Sequence, residues 1–220
     1  MYYHPRTDHS ELEKYHEGII CSSACLGGEV PQLIMSGQLS QARETIKWFK
    51  SVFGDDYYLE LQRHKATVAH ANHEPYERQV EVNEVLMKFA KELNIKLICT
   101  NDSHFVNEED ADAHERLICL STGKKLSDEN VMLYSKQEWF KTQEEMNTVF
   151  ADVPEALQNT SEILDKVEIY SIDHAPILPD FPLPDGFDNE DDYLRHLCYE
   201  GAKERWPEPT EEQRERLDFE

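Results

Sequence analysis

The spacing of apolar residues along the chain predicts helices that alternate with short strands. Residues 39–53 place apolar side chains on one helical face, and Gly54 follows as a helix end. Residues 75–94 carry the clearest stripe, with apolar side chains at i, i+3, i+4 and i+7 spacing. The short stretches 57–61 and 96–100 are apolar or aromatic, so each is predicted to be a strand.

The order of these segments predicts the fold class. A strand at 57–61, a helix at 75–94 and a strand at 96–100 form a βαβ unit, which implies a parallel sheet. We therefore expect an α/β fold, with both strands in one sheet and the helix packed across them. Weaker signals predict a helix near 11–16, a strand at 19–21 that leads into a glycine-rich turn, helices at 107–120 and 154–167, and a short helix that opens at the capping box 142–145.

The composition shifts after Tyr170 and predicts a change of domain. Four prolines fall within nine residues there: Pro176, Pro179, Pro182 and Pro184. We expect a main domain at 1–174, an extended proline-rich connector at 175–187 and a helical region at 188–220. The last predicted helix reaches Glu220 without a cap or stop, as expected of a truncated chain.

The formal net charge of -23 restricts the partners that this segment can bind directly. DNA binding depends on Lys and Arg that displace counterions, so we expect any contact with DNA to be made by other parts of a parent protein. The charge suits a cation site. The sequence has no apolar run of membrane-spanning length, and its five cysteines show no scaffold pattern. We expect a cytoplasmic protein with reduced thiols and no membrane partner.

Asp102 and His104 follow directly after the strand predicted at 96–100. In an extended chain, residues two apart point to the same side, and α/β folds place their sites at the carboxyl ends of parallel strands. A carboxylate with an imidazole suits zinc, manganese or iron. The alternative is a polar turn in which Asp102 caps backbone amides.

Four other residues are candidates for the same site. Cys25 follows the first predicted strand, and its alternative role is a small buried hydrophobic residue. Glu60 and His64 flank the end of the strand at 57–61. They could bind a metal or orient a ligand, or they could belong to a solvated strand end. His114 is expected to line the pocket or to pack against it.

Several segments together resemble one known family. The segments are Tyr15–Val30, Cys99–Phe105, Asp112–Leu126 and Phe150–Ala156. The first contains Cys25, before small residues and a glutamate. The second contains Asp102 and His104. In combination the segments resemble the PHP (polymerase and histidinol phosphatase) domain of the alpha subunits of bacterial replicative DNA polymerase III, and the likeness covers nearly the whole chain.

The resemblance implies a partial PHP-type distorted (βα)7 barrel with a C-terminal helical extension. It implies that Cys25, Asp102 and His104 are the last three ligands of a metal cluster at the carboxyl ends of the strands. The earlier ligands, and the polymerase carboxylates that hold magnesium, would lie outside this sequence. We therefore expect zinc, manganese or iron in the parent protein, a partial or absent site in this chain, and no activity from the chain alone.

The same resemblance implies a function for the parent, which is DNA-templated DNA synthesis. This part would brace the polymerase and contribute to 3′–5′ exonuclease proofreading, with the other domains and the replisome subunits as partners. Two alternatives stay open: a free-standing metallophosphoesterase of the histidinol-phosphatase type, and a purely structural interaction module. The connector at 175–187 and the helices beyond it favour the polymerase over a free-standing phosphatase.

Overall fold

The computed structural model describes residues 6–128 and 130–220. The chain divides into two compact units, Met1–Glu168 and Ile169–Glu220, and each is described by itself. The division lies a few residues before the domain boundary that we expect from composition, which stays a prediction.

A small parallel sheet lies at the centre of the first unit. In the described part of the chain it contains β1 (Cys21–Ser22), β2 (Tyr57–Leu61) and β3 (Leu97–Cys99), with β2 in the middle. Leu59 aligns with Leu97 and Leu61 with Cys99. The prediction that the segments 57–61 and 96–100 are neighbours in one parallel sheet is confirmed.

Helices surround the sheet and cover its apolar side chains. Those of the described first unit are α1 (His9–Tyr15), α2 (Glu29–Met35), α3 (Leu39–Phe53), α4 (Glu74–Leu93), α5 (Ala111–Thr122), α6 (Gln143–Val149) and α7 (Pro154–Lys166). Two single turns of 3₁₀ helix, Gly54–Asp56 and Glu108–Asp110, precede β2 and α5.

The core forms where the apolar helix faces meet β2 and β3. Ile46 of α3, Leu59 of β2 and Leu86 of α4 have no exposed surface. Helix α4 packs mainly on β2, whereas α7 makes the extensive contact with β3. The helix predicted at 75–94 therefore covers one of the two strands, and a helix later in the chain covers the other. Burial of these faces supplies the main stabilisation of the unit.

Two features near β1 differ from the sequence prediction. The strand pairs at 21–22 rather than at 19–21, and helix α2 follows the glycine-rich turn. Pro31 argues against a helix in the sequence, but it lies in the first turn of α2, where the missing N–H has no helical partner to lose. Gly28 is the N-cap of this helix, and only glycine fits there because a Cβ would clash with the Ser23 carbonyl oxygen.

The second unit begins with a segment that has no helix or strand and ends with two helices. Residues 169–180 are exposed. Helix α8 (Glu190–Arg205) is capped by Asn189, and α9 (Glu211–Phe219) is capped by Thr210. An ion pair between Arg195 and Asp218 links the two helices. Among the described residues, no helix combines the length and the apolar character needed to cross a membrane.

Candidate metal-binding site

The loop after β3 brings a carboxylate and an imidazole together. Asp102 Oδ1 lies 3.7 Å from His104 Nε2, and both side chains are partly exposed. Asp102 has a φ of 44°, in the left-handed region. The two side chains therefore meet because the chain turns at Asp102, rather than through the extended alternation that the sequence analysis assumed.

Cys25 and Asp102 face the same cavity. Cys25 lies in the turn between β1 and α2, and the cavity measures about 370 Å³. Its walls combine polar side chains, among them Glu138, with apolar ones such as Leu26 and Leu133. The ends of β1 and β3 thus supply a thiol and a carboxylate to one space.

Tyr134 forms the aromatic wall of this cavity. Its ring lies 4.9 Å from the His104 ring and 5.0 Å from the His114 ring, measured between centroids. Burial raises the pKa of the Tyr134 hydroxyl, and the nearby Asp102 and Glu138 carboxylates raise it further, so Tyr134 stays protonated. Burial lowers the pKa of His114, and the neighbouring His104 has the same effect. The His114 ring lies 5.5 Å from the His104 ring, between centroids, so His114 packs against His104 beside the cavity.

Residues 135–139 form a second loop that holds the first in place. The His104 backbone N–H donates to the Glu138 carbonyl at 2.7 Å. The Asn101 amide donates to the carbonyls of Gln137, at 2.9 Å, and Trp139, at 2.7 Å. The Glu138 carboxylate accepts from the backbone and hydroxyl of Ser135, as in a capping box. This loop was not predicted from the sequence, although the Ser-x-x-Glu spacing at 135–138 was a usable signal.

His64 is buried below the loop that carries Asp102, and both of its ring nitrogens are engaged. Nε2 lies 2.9 Å from the Asn101 carbonyl oxygen, and Nδ1 lies 2.9 Å from the Gln79 amide nitrogen. Burial lowers the pKa of His64, which favours the neutral ring. With these bonds made, neither nitrogen is free to bind a metal.

Glu60 connects the strands of the sheet. Its carboxylate accepts from Ser22 Oγ at 2.5 Å, from Thr100 Oγ1 at 2.5 Å and from Gln62 Nε2 at 2.9 Å. Ser22 belongs to β1, and Thr100 directly follows β3. The half-buried Glu60 thus joins the three strands through side chains of the protein itself.

The donor atoms of Cys25, Asp102 and His104 suit a divalent cation, since thiolate, carboxylate and imidazole all bind zinc, manganese or iron. Nevertheless, no three His, Cys, Asp or Glu side chains within residues 6–128 and 130–220 are grouped closely enough to hold a metal ion. The residue types fit a metal, but the structure does not bring these three side chains together as a group that could hold one.

Comparison with known proteins gives the family context of this site. The PHP domain model matches residues 1–64. The DNA polymerase III subunit alpha of Borreliella burgdorferi is 45% identical over 222 residues, which cover 100% of this chain and 18% of that protein. The resemblance to DNA polymerase III alpha subunits is confirmed. The polymerase III alpha of Campylobacter jejuni is 37% identical over 93% of this chain and 19% of that protein.

A third relative shows the same pattern of coverage. The DNA polymerase III subunit alpha of Deinococcus radiodurans is 35% identical over 94% of this chain and 15% of that protein. The chain thus spans 15–19% of the length of these three polymerase III alpha subunits. The PHP match includes Cys25, Glu60 and His64 and stops before Asp102 and His104. The alignment with Borreliella polymerase III alpha covers all five residues.

Proposed function

We propose that this chain is the later part of the PHP domain of a DNA polymerase III alpha subunit, followed by the start of the next region. The complete subunit synthesises DNA on a DNA template in the cytoplasm. In the complete PHP domain, β1 to β3 are the last strands of a distorted (βα)7 barrel. Two observations support this assignment: the strands are parallel, and the whole of this chain aligns with the polymerase III alpha subunit of Borreliella burgdorferi.

Cys25, Asp102 and His104 are proposed to contribute three ligands to a divalent metal site, with zinc, manganese or iron as the ion. The observation that carries the proposal is that Cys25 and Asp102 line one cavity while His104 lies 3.7 Å from Asp102. The remaining ligands come from parts of the subunit outside this sequence. A bound divalent cation would polarise a phosphate oxygen or lower the pKa of a water molecule.

The chain's own residues prepare this site in three ways. Tyr134 and Leu133 shield one side of the cavity from water, and the loop at 135–139 holds His104 through its backbone N–H. Asp102 directs a carboxylate into the cavity. In the complete subunit, this arrangement supports 3′–5′ exonuclease proofreading. The chain alone is inactive because its ligand set is incomplete.

We propose that other parts of the subunit make the main contact with DNA, because the net charge of -23 would repel the phosphate backbone. We propose that this segment braces the polymerase domains and contacts other replisome subunits. A purely structural role is the second candidate, and the incomplete donor set among the described residues favours it. A free-standing phosphoesterase is less consistent, because the similarity to polymerase III alpha continues through α8 and α9.

Alanine variants in the complete subunit test the catalytic part of this proposal. Cys25→Ala and His104→Ala should each lower bound metal and the 3′–5′ exonuclease rate, while primer extension stays close to wild type. His73→Ala is the matched control, because His73 is exposed and does not line the cavity. Wild-type exonuclease activity in both variants would contradict the catalytic role and leave bracing as the function.

A further inference from the structure

His64 is held by a single glutamine from the neighbouring helix. Gln79 of α4 is buried, and its Oε1 accepts the His64 backbone N–H at 2.7 Å. Its Nε2 lies 2.9 Å from His64 Nδ1. One side chain of α4 therefore contacts both the backbone and the ring of His64.

These contacts determine which ring nitrogen carries the proton. A backbone N–H can only donate, so the Gln79 oxygen must face it, and the Gln79 NH₂ group must then face Nδ1. An NH₂ group can only donate, so Nδ1 accepts. The proton of neutral His64 therefore sits on Nε2, where it donates to the Asn101 carbonyl at 2.9 Å.

The residue that follows Asn101 has an unusual backbone. Asp102 lies in the left-handed region at φ 44°. This region is uncommon for residues with a Cβ, although Asp enters it more readily than most. Asn101 is fixed on two sides: its amide donates to the 135–139 loop, and its carbonyl accepts from His64. The turn at Asp102 therefore begins from a peptide group that cannot rotate freely.

We propose that His64 is a positioning residue of the metal site. Its Nε2–H bond to the Asn101 carbonyl holds Asp102 in the left-handed conformation that turns the carboxylate into the cavity beside His104. This role rests on the proposed function of Asp102 as a ligand. It gives His64 a part in the site without a bond to metal, and it makes Gln79 the residue that selects the active tautomer.

The first test uses this chain without metal. Nitrogen NMR of the histidine rings should show His64 as the neutral Nε2–H tautomer. Amide hydrogen exchange at His104 should rise about tenfold or more in His64→Phe, the factor expected from losing one buried hydrogen bond. His64→Gln keeps a donor and should rise less. The exposed His73 provides the control His73→Phe, which should leave the exchange unchanged.

The second test uses the complete subunit with Co²⁺ as the probe. Co²⁺ affinity should fall about 10- to 100-fold in His64→Phe and recover in part in His64→Gln, as found for residues that orient metal ligands. Gln79→Met, which frees the Nδ1 atom of His64, should weaken binding in the same direction. If His64→Phe does not fold, Gln79→Met still tests the positioning role of His64.

The outcomes separate this inference from the proposed function. An Nδ1–H tautomer, or unchanged exchange at His104 in His64→Phe, would overturn the positioning role. If the wild-type subunit binds Co²⁺ and His64→Phe binds it with the same affinity, the positioning role of His64 is wrong and the proposed metal site is still supported. A wild-type subunit that binds no Co²⁺ would overturn the metal site and the role of His64 towards it.

Discussion

At the scale of single residues, Glu60 shows how a carboxylate is accommodated in the middle strand of the sheet. Three donors surround it: Ser22 Oγ of β1, Gln62 Nε2 directly after β2, and Thr100 Oγ1 directly after β3. A partly buried carboxylate is tolerated when hydrogen bonds replace its lost water. Glu60 therefore stabilises the sheet, and its oxygens are already satisfied.

Replacement of Glu60 should therefore lower the stability of the folded chain and not only change its surface charge. Glu60→Ala leaves three donors without their acceptor and should lower the free energy of unfolding by about 1–3 kcal/mol. Glu84 lies exposed on α4, so Glu84→Ala should change it by less than about 0.5 kcal/mol. Urea unfolding of this chain, followed by circular dichroism, measures both. Equal stability of the two variants would show that the Glu60 hydrogen bonds contribute little.

The sequence could predict part of the residue-level arrangement around Asp102. The apolar run before Asp102 and His104 predicts that both residues follow a strand. The left-handed turn at Asp102 was not predictable, because it depends on bonds from Asn101 to Gln137 and Trp139, residues 36 and 38 positions away. Likewise, the engagement of both His64 nitrogens depends on Gln79 of another helix.

At the scale of elements, the turn between β1 and α2 is sterically restricted. Gly28 begins α2 at a point where the chain passes close to the Ser23 carbonyl, and Gln32 Nε2 donates to the Leu26 carbonyl at 2.7 Å. Cys25 lies inside this turn. The direction in which the thiol points therefore depends on a turn that only glycine fits without displacement.

Two glycine-to-alanine substitutions, one in this turn and one in an open position, test whether the turn requires glycine. Gly28→Ala forces backbone atoms apart and should lower the free energy of unfolding by about 1–3 kcal/mol. Gly201 lies inside α8 with open space around its Cβ position, so Gly201→Ala should stabilise α8 by about 0.5–1 kcal/mol. Thermal unfolding of each variant provides the comparison. Loss of stability in Gly201→Ala, or none in Gly28→Ala, would contradict the steric account.

Helices with strong periodicity and clear caps were predictable from the sequence, and β1 was not. The segment 39–53 has one apolar face and a following glycine, and α3 has those bounds. Asn94 ends α4 in the left-handed conformation, as its type and position suggest. By contrast, β1 pairs only where β2 lies beside it, at 21–22, so its position follows from the neighbouring strand rather than from its own apolar run.

At the scale of the whole molecule, the two units differ in how much they bury. The first has an apolar core around the sheet, whereas in the second only Ala202 is buried among the described residues. The segment between 168 and 180 is exposed throughout. The charge of -23 and the coverage of 15–19% in three polymerase III alpha relatives fit a segment that functions beside other domains.

Limited proteolysis should separate the two units. Chymotrypsin should cut first after Tyr170, which is 76% exposed and is followed by serine rather than proline. The fully buried Tyr58 should be protected for as long as the sheet stays folded. Mass spectrometry of the early products should therefore show a resistant fragment that ends at residue 170. Early cleavage at Tyr58, or equal resistance throughout, would contradict the division.

We propose that this chain holds part of a metal site that a complete polymerase III alpha subunit would finish. Elemental analysis after dialysis tests it most directly, on the complete subunit, its Asp102→Asn variant and this chain alone. The account predicts zinc, manganese or iron bound to the complete subunit, a clear loss in Asp102→Asn, and little or no metal on the chain, whose three ligands leave coordination positions open. A complete subunit without metal, or one whose metal content is unchanged by Asp102→Asn, would contradict the claim.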